Sequence, residues 1–502
     1  MSILDLQTTI HIFFIVLTFF IHAAFVFALG YYILSAMQWY SYRPLRAIFH
    51  YNKPLWHLFL FVLPLVLYFF IIYYDEVSVY YLFILYSLVV YVWHNKLDKP
   101  LQFTKRVKRF FLFLAICVSF ADIILLIESE GVHSAEAPQS PSVIAPLFLA
   151  LIAGFIYEKI LFFVYRQEAK RKLKSMKDLR IIAITASYGK TSIKNFLHHI
   201  LSAKFNCYKT PRSVNTIIGL IQDVNTTLPL NTQIYIAEAG ARERGDIGEI
   251  AEFLEHDIAI IGQIGAQHIE YFKSLEAIRD TKMELIFSPK LTQAFVHESL
   301  NANPNGDERI KIFGHEIKNI EADLNGTKFS MKIGRKTVEF QTKLLGRFNA
   351  VNLAACIHTA LYLGLKIEEI QKAVASINSV EHRLQRIDAN GKIILDDSFN
   401  GNFEGMKSSY ELVKTYEGRK VLITPGIVES TKEENEKLAN IIDEVFDVVI
   451  ITGSVNAQTL NQAILRAHKI LLLDKSQLTA VLAQNTKGGD LILFSNDAPT
   501  YM

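Results

Sequence analysis

The chain has 502 residues, which is too long for one compact core, because single cores rarely grow beyond roughly 250 to 300 residues. A net charge of +3 argues against a nucleic acid as partner. Cys117, Cys207 and Cys356 lack the spacing of a zinc site or a disulfide framework, which favours a reducing compartment.

Apolar runs dominate the first third of the chain. They cover residues 10–34, 55–73, 79–93, 110–127 and 143–165. Most are long enough to cross a hydrocarbon core of about 30 Å, and the third is the shortest. The first run is too long for a cleavable signal peptide and lacks a basic start, so we expect it to remain in the mature protein. The sequence therefore predicts an N-terminal α-helical membrane domain of about five spans, residues 1–165.

The segments between these runs alternate in charge. Lys and Arg are enriched in residues 41–54, 94–109 and 166–177, whereas residues 74–78 and 128–142 contain Asp or Glu but no Lys or Arg. By the positive-inside rule, the N-terminus lies outside and everything after Arg166 lies in the cytoplasm. We therefore predict a multi-pass protein of the cytoplasmic membrane, with the lipid bilayer as partner and residues 166–179 as a solvated basic helical linker near the headgroups.

Ionisable side chains also lie inside the predicted spans. His22, His57 and Asp122 are candidates for a functional site, because charged groups are expensive within a bilayer. A neutral histidine or a carboxyl group facing a neighbouring helix is tolerable there, so we expect these residues to take part in helix packing.

From residue 180 onward, short β-rich runs alternate with amphipathic helical patterns. Buried strands are predicted at residues 180–185, 234–237, 258–261, 393–395, 421–424, 448–452, 470–473 and 491–494. This alternation predicts parallel, doubly wound α/β sheets, whereas residues 309–345 are typical of antiparallel hairpins. A polar segment at residues 376–383 predicts a domain boundary, giving α/β domains at 180–380 and 381–502. A shared ligand would lie at their facing strand ends.

A candidate phosphate-binding loop follows the first of these strands. It comprises Thr185, Ala186, Ser187, Tyr188, Gly189, Lys190, Thr191 and Ser192. A strand, a turn containing glycine and a helix that starts at Lys190-Thr191 direct backbone N–H groups at phosphate oxygens. Lys190 would neutralise the β- and γ-phosphates, and the Thr191 hydroxyl would bind Mg²⁺. The usual Walker pattern has glycine where this chain has Ile184, so an ordinary strand-to-helix turn also fits.

Three further candidates follow successive strands. Glu238 lies at the carboxyl end of a strand, His268 follows the next strand, and Lys282 lies on the helix after that. Taken singly, they fit a solvated acid, a capping histidine and a surface lysine. Their shared position at the carboxyl ends of strands, where open α/β sheets bind ligands, favours a common site.

Residues 180–495 resemble the Mur ligase family of ATP-dependent amide-forming enzymes. The matching motifs are Thr185-Ala-Ser-Tyr-Gly-Lys-Thr-Ser192, Ser213-Val-Asn-Thr-Ile-Ile-Gly219, Glu238-Ala-Gly-Ala241, Gly265-Ala-Gln-His268, Thr281-Lys-Met-Glu284, Gly346-Arg-Phe-Asn-Ala-Val-Asn-Leu-Ala-Ala355, His382-Arg383 and Asp396-Asp-Ser-Phe-Asn-Gly-Asn402. The resemblance implies a central ATP-binding domain of P-loop type and a Rossmann-like C-terminal domain.

The resemblance also implies roles for single residues. Lys190 would contact the β- and γ-phosphates of ATP, and Thr191 and Glu238 would bind the Mg²⁺ that bridges them. His268 would bind a second Mg²⁺, and Lys282 would act as a metal ligand after conversion to a carbamate. The expected catalytic residues are Lys190, Glu238, His268 and Lys282.

Residues near the domain junction complete the expected nucleotide site. Asn349, Arg383 and Asp397 resemble the family's residues that hold the base, phosphate and ribose. Within the family, the motifs are most similar to the member that adds D-alanyl-D-alanine to UDP-N-acetylmuramoyl tripeptide in peptidoglycan precursor synthesis. The resemblance thus implies amide formation through an acyl phosphate, with both molecules as substrates and ATP and Mg²⁺ as cofactors.

The sequence departs from the family at several points. The family's glycine at the start of the loop is Ala186 here, and residues 493–497 lack the Lys-Gly-Ser of the most similar member. Apolar runs also stand where members carry a UDP-binding domain. The membrane domain would either keep the ligase beside the enzyme that next moves the precursor onto a lipid carrier, or serve a lipid-linked substrate. The alternative within the same class is a Mur-like or amidase-type enzyme that forms another amide on a lipid-linked cell-wall precursor.

A function of another class is a transporter or sensor with a regulatory nucleotide domain. Regulation needs phosphate contacts but not a second metal site, so His268 and Lys282 favour the ligase.

Overall fold

The computed structural model describes residues 3–40, 42, 44–49, 55–74, 78–97, 100–131, 140–265, 272–301, 306–399, 401–428 and 430–497. Two compact units make up the chain. The first comprises Met1–Val164 and the second Tyr165–Met502. The predicted His268 lies outside the described residues, as does Asn400 of the Asp396–Asn402 motif.

The secondary-structure elements described in the first unit are all helices. Its helices are α1 (Ile3–Trp39), α2 (Pro44–Phe49), α3 (Leu55–His57), α4 (Leu63–Tyr74), α5 (Ser78–Asn95), α6 (Lys105–Gly131) and α7 (Ser140–Ser175), with a π-helical turn at Leu58–Val62 between α3 and α4. A helix therefore covers each predicted apolar run. Among the described residues, two segments, Val16–Trp39 and Val143–Ser175, are long and apolar enough to cross a membrane. The count of five spans stays a prediction.

The ionisable residues of this unit have partners inside the bundle. His22 Nδ1 lies 2.7 Å from Asp122 Oδ1, and both side chains are buried. His57 Nε2 donates to the carbonyl of Ala47 at 2.8 Å, so its Nδ1 accepts from the Tyr32 hydroxyl at 2.8 Å. These contacts tie helices together, in agreement with the expected packing role.

Large apolar side chains also cover the outside of the helical unit. Phe20, Leu88 and Phe163 are 70%, 57% and 61% exposed, on three different helices. Exposed apolar surface on this scale is unusual for a water-soluble protein and fits a lipid environment.

Five parallel strand pairings form the first sheet of the second unit. Its strands are β1 (Arg180–Thr185), β2 (Cys207–Lys209), β3 (Ile234–Glu238), β4 (Ile258–Ile261), β5 (Gln293–His297) and β6 (Ile310–Phe313), in the order β2-β3-β1-β4-β5-β6. The predicted strands at 180–185, 234–237 and 258–261 are all present, whereas β2 and β5 were not predicted. The first sheet places the end of β1 between the ends of β3 and β4.

Residues 309–345 follow the predicted hairpins only in part. The strands β7 (Ile317–Asp323), β8 (Gly326–Ile333) and β9 (Lys336–Thr342) form an antiparallel sheet. The expectation was wrong for β6, which pairs in parallel with β5. Local alternation cannot reveal that pairing, because it does not show which strand a segment pairs with, and the partner β5 was itself not predicted.

The second sheet has the order β10-β11-β15-β12-β13-β14. Its strands are β10 (Gln385–Ala389), β11 (Lys392–Asp397), β12 (Lys420–Thr424), β13 (Val448–Thr452), β14 (His468–Leu472) and β15 (Leu491–Ser495). The pairings are parallel except that of the edge strand β10, which was not predicted. The predicted C-terminal strands are all present, so the doubly wound expectation holds with one antiparallel edge.

Helices connect these strands. They are α8 (Lys190–Leu201), α9 (Ile217–Thr226), α10 (Asp246–Leu254), α11 (Leu275–Met283), α12 (Phe348–Tyr362), α13 (Ile367–Ser376), α14 (Phe403–Lys414), α15 (Lys432–Val445), α16 (Ala457–Ala463) and α17 (Leu478–Asn485), with 3₁₀ turns at Glu284–Phe287, Glu298–Leu300 and Lys475–Gln477. Apolar faces of α8 and α12 pack on β1 in one core, and α14 and α15 contribute to a separate core of the second sheet.

The basic segment after residue 165 is helical, as predicted, because α7 continues to Ser175. Its side chains are less solvated than expected. Arg166 pairs with Glu252 at 3.1 Å, and Lys172 Nζ donates to the carbonyl of Val224 at 2.7 Å. Part of this basic segment therefore contacts the α/β unit itself.

Candidate functional site

The loop between β1 and α8 has the geometry of an anion site. Gly189 has φ +79°, and a Cβ atom at this position would lie 2.4 Å from Asn352 Oδ1. Both facts require glycine. Helix α8 begins at Lys190, and no side chain caps its N-terminus. The first-turn N–H groups and the positive end of the helix dipole thus remain available to a phosphate.

Ala186 is compatible with this loop. It is not among the described residues with positive φ, so the turn does not need the family's glycine at this position. The side chain is fully buried and packs against Gly262, where a Cβ would lie 3.0 Å from Ala186 Cβ. The loop is further fixed by the N–H of Ser187, which donates to the carbonyl of Gln263 at 2.9 Å.

Lys190 folds back over the loop. Its Nζ donates to the carbonyls of Ala186, at 2.5 Å, and Ser187, at 3.2 Å. Burial lowers the pKa of Lys190 to about 8, while Glu238 opposes the shift and Arg383 adds to it. The ammonium group is therefore bonded only to neutral carbonyl oxygens, and an anionic ligand would compete with them for it.

Glu238 lies beside the loop because β3 pairs with β1 in the register Ile184 to Glu238. Its side chain is 1% exposed, and its Oε1 lies 2.7 Å from Lys194 Nζ, outside hydrogen-bonding geometry. Lys194, also 1% exposed, donates to the carbonyl of Arg212 at 2.5 Å. Lys194 is thereby the cation nearest to this buried carboxyl group at the carboxyl end of β3.

Lys282 approaches the same region from α11. It is 4% exposed, and burial lowers its pKa to about 7, with a further lowering by Lys190 that Asp246 and Glu284 oppose. Glu284 itself accepts hydrogen bonds from the N–H groups of Gly245 and Gly248, so it caps α10. Of the Thr281–Glu284 motif, Lys282 therefore faces the charges of the site, while Glu284 fixes a neighbouring helix.

The second α/β domain contributes Arg383 on a constrained turn. His382 and Leu384, on either side, have φ of +62° and +52°. Asp396 Oδ2 lies 2.8 Å from His382 Nδ1, and Asp397 Oδ1 accepts from the N–H of Leu384 at 3.1 Å. The two carboxylates thus hold a backbone conformation that is unfavourable for residues with a Cβ.

Arg383 is directed from this turn toward the loop. Its Nη1 donates to the carbonyl of Phe399 at 2.6 Å. Burial lowers its pKa, while the charges of Asp397 and Glu238 raise it. Because Arg383 also acts on the pKa of Lys190, the structure brings both α/β domains together at one charged site.

Two other predicted nucleotide residues are occupied by protein contacts. Asn349 Nδ2 donates to the carbonyl of Leu345 at 2.8 Å, and its Oδ1 accepts from Asn352 Nδ2 at 3.4 Å. Asp397 Oδ2 accepts from the Ser409 hydroxyl at 2.5 Å. Their contacts to base and ribose stay predictions.

The sequence reasoning did not single out Lys194 or Asn352. Lys194 follows Lys190 by four residues on α8, a spacing that places both on one helix face and could have revealed it. Asn352 was recognisable only as part of a matching motif, because its contact with Gly189 joins segments more than 160 residues apart.

The residues present fit a nucleotide and Mg²⁺. Beside the uncapped start of α8, Thr185 Oγ1 is buried and lacks a hydrogen-bond partner among the described residues. Glu238 Oε1 is also buried and makes no hydrogen bond there, although it is paired with Lys194 Nζ at 2.7 Å. A buried oxygen without a hydrogen bond is costly unless a ligand or cation completes its contacts. Within the described part of the chain, no three His, Cys, Asp or Glu side chains form a metal cluster.

Comparison with known proteins agrees with this geometry. Residues 184–360 match the Mur ligase middle domain, and residues 382–496 match the Mur ligase glutamate ligase domain. The UDP-N-acetylmuramoyl-tripeptide--D-alanyl-D-alanine ligase of Bacillus subtilis is 28% identical over 348 residues, 66% of this chain and 75% of that protein. The ligase of the same name from Borreliella burgdorferi is 34% identical over 237 residues, 44% of this chain and 49% of its own length.

Solved structures show the same fold. MurF from Acinetobacter baumannii superposes with a TM-score of 0.60 at 20% identity, covering 67% of this chain and 78% of that one. The complex of Thermotoga maritima MurF with ADP gives a TM-score of 0.59 at 24% identity, covering 67% and 80%.

The fold and the site define an ATP-dependent ligase built on two α/β domains. Two consecutive domain models of one family match most of the second unit. The chain belongs to the Mur ligase family.

Proposed function

We propose that this protein adds D-alanyl-D-alanine to UDP-N-acetylmuramoyl tripeptide, using ATP and Mg²⁺, at the cytoplasmic face of a membrane. The observation that carries the proposal is the joint placement of Lys190, Glu238, Lys282 and Arg383 at the junction of two Mur ligase domains. The shared name of the Bacillus and Borreliella relatives supports this substrate pair.

Each residue has a role in such a reaction. Lys190 leaves the loop carbonyls to contact the β- and γ-phosphates, and the N-terminus of α8 holds phosphate oxygens. Thr191 and Glu238 would hold Mg²⁺, with His268 as the proposed ligand of a second ion. The metal supplies neutralisation of phosphate charge when bound. Arg383 brings a further cation from the C-terminal domain to the transferred phosphoryl group.

Lys282 is suited to carbamate formation. A pKa of about 7 leaves much of the amine neutral at physiological pH. The neutral amine adds to CO₂ and releases a proton, which converts a cation beside Lys190 into an anion able to bind a metal. We propose this form as the working state of the site, with Asn349 and Asp397 near the base and ribose.

A product assay tests the proposed reaction. Detergent-purified full-length protein is incubated with ATP, Mg²⁺, UDP-N-acetylmuramoyl tripeptide and D-alanyl-D-alanine, and the product is weighed by mass spectrometry. We expect UDP-muramoyl pentapeptide with ADP and phosphate, loss of product with Lys190→Ala, and no change with the exposed Lys372→Ala. An active Lys190→Ala, or intact protein that binds ATP but forms no pentapeptide, would contradict the proposal.

A second candidate substrate is a lipid-linked precursor. The exposed apolar surface of the helical unit favours it, because that surface suits a lipid environment. The same assay with lipid-linked tripeptide in place of the UDP form separates the two: turnover of the lipid-linked form alone would support this candidate. If the soluble substrate is turned over at a comparable rate, the helices would serve to locate the ligase beside enzymes that consume its product.

A further inference from the structure

The helical unit contains a cleft that the ligase reaction does not use. It is a small cavity of about 50 Å³, open to the outside, between α1, α6 and α7. Apolar side chains line much of it, including Leu34, Phe110, Phe113, Leu151 and Phe155. Charged side chains are part of the same lining, so the cleft is amphipathic.

The two arginine side chains of the cleft differ in their partners. Arg109 is paired, because its Nε donates to Glu158 Oε1 at 3.0 Å. Arg106 lies over the ring of Tyr42, with Cζ 3.9 Å from the ring centroid. Among the described residues, Arg106 makes neither a hydrogen bond nor an ion pair within contact distance. The guanidinium group of Arg106 thus has no directly bonded anion, although the charge of Glu158 in the same cleft acts on it. A cation without a bonded anion beside apolar groups is costly.

The charged part of the cleft lies at a depth suited to a headgroup. Arg106 and Arg109 lie in the first turns of α6, immediately before the apolar run that begins at residue 110. If that run crosses the membrane, as predicted, both guanidinium groups lie near the boundary where lipid phosphates are found.

We propose that this cleft binds the phosphate head of an anionic membrane lipid. Arg106 contacts the phosphate, as a planar guanidinium matches its oxygens, and the lipid chain lies along the apolar lining near Phe110 and Phe155. The proposal rests on the proposed membrane location and not on the identity of the ligase substrates.

Lipid binding to the full-length protein tests the site. Native mass spectrometry from detergent micelles would count adducts with dioleoyl phosphatidic acid, with dioleoyl phosphatidylcholine, and with phosphatidic acid in the presence of inorganic phosphate. We expect phosphatidic acid to bind about tenfold more tightly than phosphatidylcholine, a preference that Arg106→Gln removes. The exposed Lys108→Gln, on the same helix but outside the cleft lining, should keep the preference.

A second variant tests the cleft without changing charge. Gly154 lines the space, and the nearest heavy atom to an added Cβ is Phe110 Cδ2 at 3.9 Å, so a side chain can start there without a clash. Gly154→Leu should fill the cleft and reduce phosphatidic acid binding as strongly as Arg106→Gln. If Gly154→Leu binds normally, the lipid lies elsewhere and the proposal is wrong.

Further outcomes decide the source of the anion. Equal losses with Lys108→Gln would indicate a diffuse basic surface, and full displacement by inorganic phosphate would indicate a site for free phosphate; either result overturns the proposal. Ligase activity on the soluble substrate, measured in parallel, should be unchanged in all three variants. Specific lipid binding without any ligase activity would contradict the proposed function while leaving the lipid site intact.

Discussion

A single buried ion pair positions a carboxyl group beside the phosphate loop. Glu238 and Lys194 are each 1% exposed and 2.7 Å apart, so neither is screened by water. Breaking a buried pair leaves one charge uncompensated, which costs more than the pair itself contributes. Lys194 is therefore a positioning residue for Glu238.

Lys194→Met should destabilise the protein through Glu238. We expect the free energy of unfolding to fall by about 3 to 5 kcal/mol, because the remaining carboxylate is buried without its cation. The double variant Lys194→Met/Glu238→Gln should recover part of that loss, as measured by a thermal-unfolding double-mutant cycle. Additive losses in the double variant would show that the two side chains act independently.

His256 couples stability to pH at a position away from the site. It is fully buried, its Nε2 donates to the carbonyl of Leu285 at 2.9 Å, and its Nδ1 has no partner among the described residues. Burial lowers its pKa from 6.5 to about 4, which the bond to Leu285 opposes. Since the folded-state pKa is depressed, this contribution to stability is complete above pH 6.5 and is lost as pH falls toward 4.

His256→Gln should remove this dependence. Between pH 6.5 and pH 4, wild-type protein should lose about 3 kcal/mol more unfolding free energy than the variant, since one pKa unit corresponds to about 1.4 kcal/mol. Urea denaturation at several pH values measures the unfolding free energy of wild-type protein and variant. The contributions of all other titrating groups cancel in the difference between the two. Parallel pH profiles would mean that His256 is already accessible to protons in the folded state.

At the scale of elements, two constrained connections shape the site beside the carboxyl ends of the strands. Both the β1–α8 loop and the turn at His382–Leu384 contain residues with positive φ, and the first also leads into the uncapped N-terminus of α8. Parallel strands supply the frame, because β1 ends between β3 and β4. Strain in these connections is tolerated because hydrogen bonds and packing from both domains fix them.

Gly189→Ala tests the loop. We expect nucleotide affinity to fall at least about tenfold, because the added Cβ is strained at φ +79° and meets Asn352 Oδ1 at 2.4 Å. Removing the Asn352 side chain as well should relieve the clash but not the strain, and so recover only part of the affinity. Isothermal titration with ADP measures the affinity of the single and the double variant.

Gly334→Ala is the matched control for this loop. Gly334 also has positive φ, +60°, but an added Cβ would meet no atom within 4 Å, and it lies in the β8–β9 turn. The Gly334→Ala substitution should lower the stability of the protein slightly and leave its ADP affinity unchanged. A similar loss of affinity in both variants would indicate a general effect on folding.

At the scale of the whole molecule, two units of opposite surface chemistry share one chain. Helices with exposed Phe, Leu and Ile side chains form the first, and charged α/β domains form the second. Apolar surface of this extent cannot remain in water without association. The chemistry of the ligase is therefore expected to take place beside a lipid surface.

Membrane extraction tests this arrangement. Full-length protein in isolated membranes should stay in the pellet after high-salt and alkaline carbonate washes and be released by mild detergent, because burial of apolar helices does not depend on ionic contacts. Immunoblotting of pellet and supernatant measures where the protein is found after each wash. The peripheral proteins of the same membranes serve as internal control. Release by salt alone would assign membrane contact to the basic segment after Tyr165.

Local patterns along the chain were enough to predict most of the buried strands and the polar residues near their carboxyl ends. Buried β-rich runs such as β1 and β13 were predicted from local pattern, because a strand covered on both faces is apolar throughout. Lys190, Glu238 and Lys282 were identifiable because each follows a strand in chain order. Three features became visible in the fold alone: the pairing of Lys194 with Glu238, the addition of β6 to the parallel sheet, and the effect of Arg383 on the pKa of Lys190. Local periodicity carries no information about which segments meet, whether they are consecutive strands such as β5 and β6 or residues of different domains.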